Sequence, residues 1–177
     1  VIGNEACPLQ PPIFGEIART VCNFAEKYNI SVYDEVSGKG LLRHLYIRSG
    51  AGDNGEICVC LVINGKDFLY SESLVDLLTY KFSRIVGIVI NINQKNSNLI
   101  LGNEYKTLWG KCVISDVFCD VELDVSPAAF YQVNHDAAEL LCKTAADIAD
   151  LKGDEHLLDL YCGIGSVGLS MAHRVRR

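Results

Sequence analysis

The stretch that decides the fold is His156-Leu157-Leu158-Asp159-Leu160-Tyr161-Cys162-Gly163-Ile164-Gly165-Ser166-Val167-Gly168-Leu169-Ser170. A short apolar run closes on an acidic residue, then opens into glycines and a second apolar run. That order predicts a strand over Leu157–Tyr161, a tight turn and a helix start, the opening unit of a Rossmann-like nucleotide site. Gly163-x-Gly165-x-x-Gly168 fits the dinucleotide pattern literally, although an ordinary strand–helix turn has the same spacing. The glycines let backbone approach a ligand closely. Asp159 would repel a pyrophosphate and suits a cationic or amine-bearing ligand better.

Three functions are open at this point. The first is a donor site for S-adenosylmethionine, whose sulfonium and ammonium groups accept a nearby carboxylate. The second is a nicotinamide or flavin oxidoreductase. Both ordinarily place an acidic residue about 20 positions past the loop, which lies beyond Arg177. The third is a non-catalytic RNA-interaction module, which needs a basic or aromatic face that this chain shows only sparsely.

Upstream, Pro11-Pro12 opens a helix to about Tyr28, with Ile13, Ile17, Val21, Phe24 and Ala25 at helical spacing. Leu42–Arg48 and Glu56–Ile63 read as an antiparallel strand pair around the Ser49–Gly55 turn. Ser71 or Ser73 caps a helix carrying Leu74, Leu77, Leu78 and Phe82. Ile85–Ile92 is a buried strand, with shorter strands around Leu99–Leu101, Thr107–Ile114 and Phe118–Val125. Ser126-Pro127 marks a boundary. Asn134 or Asp136 then starts a helix with Leu140, Leu141, Ala145, Ile148 and Ala149 on one side, ended by Gly153.

Composition sets limits. The chain has 177 residues, 49% of them hydrophobic, and a formal net charge of −6. That charge argues against a strong nucleic-acid surface on this segment, because phosphate binding needs clustered Lys and Arg. No apolar run is long enough to cross a membrane, and Val1–Glu5 carries no secretion signal. The 8 cysteines form no C-x-x-C pair and read as reduced, packed thiols of a cytoplasmic protein.

Two stretches together carry a family resemblance. Ser126-Pro127-Ala128-Ala129-Phe130-Tyr131-Gln132-Val133-Asn134 precedes the helix that leads into Asp159-Leu160-Tyr161-Cys162-Gly163-Ile164-Gly165. This pairing resembles the RNA (uracil-5-)-methyltransferase family, its 23S rRNA branch above all. Gly40–Arg48 and Ile88–Asn93 are similar to the central domain of that family. The resemblance implies a mixed α/β central domain over 1–125. Over 126–177 it implies the first units of a Rossmann-like class I methyltransferase domain. It implies S-adenosyl-L-methionine as donor and a uridine of 23S rRNA as acceptor, yielding 5-methyluridine through a cysteine adduct at uracil C6. A tRNA (uracil-5-)-methyltransferase is the nearest alternative.

The resemblance also implies roles. Gln132 contacts the donor, Tyr161 and Ser166 line the same pocket, Gly163 and Gly165 shape it, and Asp159 lies beside it. Helix capping by Gln132, strand-end packing by Tyr161 and loop satisfaction by Asp159 remain open alternatives. The family's attacking cysteine sits in a Ser-Cys-Asn-Pro-like segment that this sequence does not contain, and its general-base glutamate is absent too. The chain is therefore expected to be an inactive piece of its parent. Cys162, beside a helix start, is read as a small packed residue rather than the nucleophile.

In cluster-bearing members a four-iron, four-sulfur cluster is held by four cysteines. Cys7 corresponds to the fourth, and is expected to be unligated in this chain. Cys58 and Cys60 are read as core. Arg43, His44, Arg48, Lys39, Lys81, Arg84 and Lys95 could meet phosphates or could simply be a solvated face. The Arg174–Arg177 tail departs from the family pattern. Exposed apolar edges are expected to favour a homodimer.

Overall fold

Every residue of Ile57–Ile63 (β2) is apolar, the pattern of a strand covered on both faces, and all of them are buried. The computed structural model describes residues 7–176. Val1–Glu5 and Arg177, read above, lie outside that range. β2 lies between Leu42–Ser49 (β1), antiparallel to it, and Ile85–Ile92 (β3), parallel to it; Glu104–Gly110 (β4) closes the other edge, antiparallel to β3. The parallel β2–β3 pair needs a crossover, supplied by the helix Ser71–Lys81 (α2).

The two faces of β2 serve two cores. Ile57, Val59, Leu61 and Ile63 join Ile17, Val21 and Phe24 of the helix Pro12–Lys27 (α1), together with Leu74 and Leu78 of α2. Cys58, Cys60 and Val62 face a second cluster, built on Ile114–Phe118 (β5), Val121–Val125 (β6) and the helix His135–Ile148 (α3). The period of two along a strand assigns these faces. Each fully buried Leu or Ile contributes about 1.5–3 kcal/mol of apolar transfer. The mixed α/β fold expected from the sequence is the fold observed.

Local expectations fared unevenly. Helix α1 starts and stops as read, with Asn29 in the left-handed region (φ 50°) just beyond it. Helix α2 is present, but its N-cap is Tyr70, and no side chain caps it. Leu99–Leu101 is not a strand. Its carbonyls are instead gathered by an asparagine, with the Asn93 amide donating to Leu99 O and Ile100 O. The strand expected over Phe118–Val125 is a hairpin, since Cys119 and Asp120 both take positive φ (48° and 65°) and reverse the chain between β5 and β6. A two-residue turn of that kind needs positive φ at both positions.

Helix α3 corrects a larger expectation. It packs through Ala138, Cys142 and Ala146, whereas Leu140, Leu141 and Ile148 are 67%, 67% and 79% exposed. Ala138 and Cys142 join the cluster that includes the hairpin's Phe118 and Leu123, and the bulkier face is turned outward. The Leu157–Tyr161 strand does not form. Among the described residues no strand lies beside it to accept its ladder bonds, and Leu158 and Leu160 are 79% and 69% exposed. The helix after the glycine loop does form, as Ser166–Met171 (α4), which packs against α3 and β6.

Candidate functional site

Residues 126–134 have no regular secondary structure, so side chains must hold them. Alternation along β5 turns Asp116 inward between Ile114 and Phe118. Its side chain is 5% exposed. One oxygen, Oδ1, accepts the Ala51 N–H at 2.9 Å, and the other, Oδ2, accepts the Tyr131 hydroxyl at 2.7 Å. A buried carboxylate is tolerable only when its oxygens are paired in this way. Burial, and then the Asp116 carboxylate, push the Tyr131 hydroxyl far above its ordinary value, so it stays a donor. Arg48 of β1 donates to Ala129 O at 2.7 Å and also to the Tyr46 hydroxyl. The rings of Phe118, Tyr131 and His135 meet edge to face.

Gln132 is exposed, as are its neighbours Phe130 and Val133, each 76% exposed. It does not cap α3. Asn134 does, its side-chain oxygen accepting the Ala137 N–H at 3.1 Å. The structure therefore presents Gln132 outward from a segment pinned on either side of it.

Downstream of α3, the chain turns at Tyr161 (φ 62°), Gly163 (φ 58°) and Gly165 (φ 81°), and the Gly165 N–H closes onto Cys162 O at 2.8 Å. Three consecutive odd positions in the left-handed region suit glycine and strain tyrosine. Tyr161 is fully exposed, so it is not a packed strand-end residue. Asp159 Oδ2 accepts the Gly168 N–H at 2.9 Å, so the carboxylate serves the loop. Ser166 is the first residue of α4 and is partly buried. Cys162 is exposed rather than packed.

A cleft of about 830 Å³ lies elsewhere, between the β1–β2 turn and the β5–β6 hairpin. Asp53, Glu56, Asp116, Glu122 and Asp124 line it, and none of the sequence-predicted site residues does. That density of carboxylates repels a phosphate backbone.

Several basic candidates are occupied inside the fold. Arg43 is 1% exposed at its side chain; it donates to Asn93 O and Lys95 O at 2.8 and 2.9 Å and stacks 4.2 Å from the Tyr33 ring. Arg84 binds Gly55 O and Gly52 O. Arg48 is committed to Ala129 O. Burial, then the Arg43 charge, hold the His44 imidazole below its ordinary value and so favour its neutral form. Lys39, Lys81 and Lys95 are exposed.

The cysteines divide in the same way. Cys58 and Cys60 are buried, and burial pushes their thiols up to about 11 and about 12. They are core residues, as read. Cys7 is a partly buried free thiol. Among the described residues no group of three or more His, Cys, Asp or Glu could hold a metal ion, so these residues do not by themselves fit an iron–sulfur cluster. No helix among them is long and apolar enough to cross a membrane.

Sequence reasoning missed Asp116. An acid at the inward position of an alternating I-S-D-V-F strand was the signal available.

The chain superposes on the crystal structure of Pyrococcus abyssi tRNA (uracil-54, C5)-methyltransferase, determined in complex with S-adenosyl-L-homocysteine. The TM-score is 0.78 at 24% identity, over 99% of this chain and 42% of that one. The two chains share a fold over that span.

An uncharacterized RNA methyltransferase of Clostridium tetani is 35% identical over 177 residues, covering 100% of this chain and 38% of the relative. Uncharacterized RNA methyltransferases of Staphylococcus epidermidis and Staphylococcus aureus are 40% and 37% identical over 172 residues, covering 97% of this chain and 38% of each relative. No family model matches the chain. Over nearly its whole length the chain is similar to RNA methyltransferases, and it spans 38% of the length of these curated relatives.

Proposed function

We propose that the whole protein is an S-adenosyl-L-methionine-dependent RNA (uracil-5-)-methyltransferase of the cytoplasm that forms 5-methyluridine in 23S rRNA. One observation carries the reading. The 126–134 segment and the 159–168 glycine loop flank the same helix, α3, with Gln132 and Tyr161 both exposed on either side of it. In this reading 1–125 is the central domain and 126–177 opens the donor-binding domain.

The proposed donor residues divide by chemistry. Gln132 offers both a donor and an acceptor to the amino-acid end of the donor molecule. Tyr161 offers an aromatic face. Gly163 and Gly165 keep the loop free of side chains, and Ser166 supplies a hydroxyl at the start of α4. Asp159 holds the loop through Gly168 and leaves Oδ1 for a cationic group. The adduct at uracil C6 and the later loss of the C5 proton belong to a cysteine and a base that this sequence does not contain, so this chain alone transfers no methyl group. Cys7 alone offers one thiolate, too few to hold a cluster.

The reading places RNA recognition outside the acidic cleft. Of the basic residues singled out in the sequence, Lys39, Lys81 and Lys95 are the exposed ones, and in this reading they are available to phosphate. A tRNA acceptor is the second reading, favoured by the substrate named for the archaeal structure. The outward face of α3, with Leu140, Leu141 and Ile148, supports self-association of the isolated chain, which sedimentation would detect.

The test is to express the full reading frame containing this chain with methyl-labelled S-adenosylmethionine, and to offer it unmodified 23S rRNA and tRNA separately. Labelled 5-methyluridine in 23S rRNA is expected. Label only in tRNA would replace the proposed acceptor, and label in neither would overturn the reading.

A further inference from the structure

We infer that Asp116 is a positioning residue for the donor site: by accepting the Tyr131 hydroxyl it locks residues 129–134 to the sheet and fixes where Gln132 is presented. This rests on the reading of Gln132 as a donor-site residue.

The argument starts from what the segment lacks. Residues 126–134 have no ladder or helix to set their backbone. A turn from Ser126 O to the Ala129 N–H secures one end, and the Asn134 cap secures the other. Between them, among the described residues, two tertiary hydrogen bonds reach the rest of the fold: Arg48 to Ala129 O and Tyr131 to Asp116. Phe130, Gln132 and Val133 are all exposed and contribute little packing. The conformation that aims Gln132 therefore depends on its neighbour, Tyr131.

Asp116 is well built to be the fixed end of that lock. Its Oδ1 is held by the Ala51 N–H, in the turn directly after β1, and β1 also carries Arg48. The carboxylate thus joins the β1–β2 turn, the β5–β6 hairpin and the 126–134 segment at one buried point. The His135 ring, 3.6 Å from Oδ2, closes the remaining side. A buried carboxylate is costly to keep, and a neutral side chain could fill the same volume. What the charge adds is a strong, directional acceptor for one hydroxyl. Groups that bind or position substrate lose much of their effect when displaced by about 1 Å.

The test uses the full reading frame, with Tyr131→Phe, Asp116→Ala, Asp116→Asn and Gln132→Ala. Tyr131→Phe removes one oxygen and keeps the ring, so it is the variant least able to disturb folding. It is expected to raise KM for S-adenosylmethionine about tenfold, the worth of one charge-assisted hydrogen bond. The kcat at saturating donor and the KM for RNA should stay within about twofold. Asp116→Ala should match it, and Asp116→Asn, which keeps an acceptor, should recover most of the loss. Hydrogen exchange at residues 129–134 should quicken in Tyr131→Phe and Asp116→Ala.

If Gln132→Ala raises the donor KM while Tyr131→Phe changes neither KM nor exchange, the lock is wrong and the donor reading stands. If Gln132→Ala leaves the donor KM unchanged, the donor reading fails and takes the inference with it. A uniform loss of kcat with no change in KM would make Asp116 a stability residue only, and would also overturn the inference.

Discussion

Asp159 accepts the backbone N–H of Gly168 at 2.9 Å, spanning the glycine loop from one end to the other. A Cβ added at Gly168 would lie 2.8 Å from Asp159 Oδ2. A side chain at position 168 would push the Asp159 carboxylate aside, whatever the loop binds. Gly168→Ala should break this contact and speed exchange of the amide at position 168 by about fivefold to tenfold, the worth of about 1 kcal/mol at a partly exposed site. Unchanged exchange at that amide would show that the loop closes without the bond.

Helix α3 gives a prediction about which face is packed. Leu140→Gln and Leu141→Gln should each shift unfolding free energy by less than about 0.5 kcal/mol, as exposed positions do. Ala146→Leu, on the buried face of the helix, should cost about 1–3 kcal/mol by overpacking. Urea titration of the chain distinguishes the two. A large loss from the leucine variants would mean that face is covered.

Arg43 should behave as a core residue. Arg43→Ala leaves Asn93 O and Lys95 O without their donor, and should cost about 2–3 kcal/mol. The salt dependence of RNA binding should be unchanged, because a buried guanidinium releases no counterions. A shallower salt slope in the variant would return Arg43 to the RNA surface.

The buried thiols set a pH dependence. An unfolded cysteine ionises near about 8.5, whereas burial raises Cys58 to about 11 and Cys60 to about 12. A raised folded value means that the stability is fully present below the unfolded value and is lost as pH rises through the folded one. Stability should be level near pH 7–8 and fall from about pH 9 upward, with Tyr131 adding the same sign above its ordinary range. Cys60→Ala should flatten the slope. Urea midpoints from pH 7 to 11 read it directly, and a flat wild-type profile would contradict the burial of these groups.

Thiol labelling checks the same division chemically. At pH 8, iodoacetamide should modify Cys22, Cys112 and Cys162, which are exposed, well before Cys58, Cys60, Cys119 and Cys142, which are buried. Labelling of Cys60 at the rate of Cys22 would show that β2 opens readily.

The sequence by itself determined the elements whose burial follows local periodicity. Ile57–Ile63 and Ile85–Ile92 read as covered strands because nearly every side chain in them is apolar. Ile17, Val21 and Phe24 marked the inner face of α1 by their spacing. The paired S-P-A-A-F-Y-Q-V-N and D-L-Y-C-G-I-G motifs carried the resemblance to RNA methyltransferases, since motif chemistry is written in consecutive residues.

Tertiary structure decided the rest. No local signal told that α3 would pack by Ala138, Cys142 and Ala146 and turn its leucines outward, because the elements packed against it make that choice. Leu157–Tyr161 has the composition of a strand, yet a strand exists only through a neighbour's hydrogen bonds. Arg43 and Arg84 look like phosphate ligands in one dimension and are backbone clamps in three. Asp116 and Tyr131, fifteen positions apart, become one contact only after β5 and the 126–134 segment have folded together. A contact of that kind depends on the path of the whole chain between the two residues, and local pattern does not record that path.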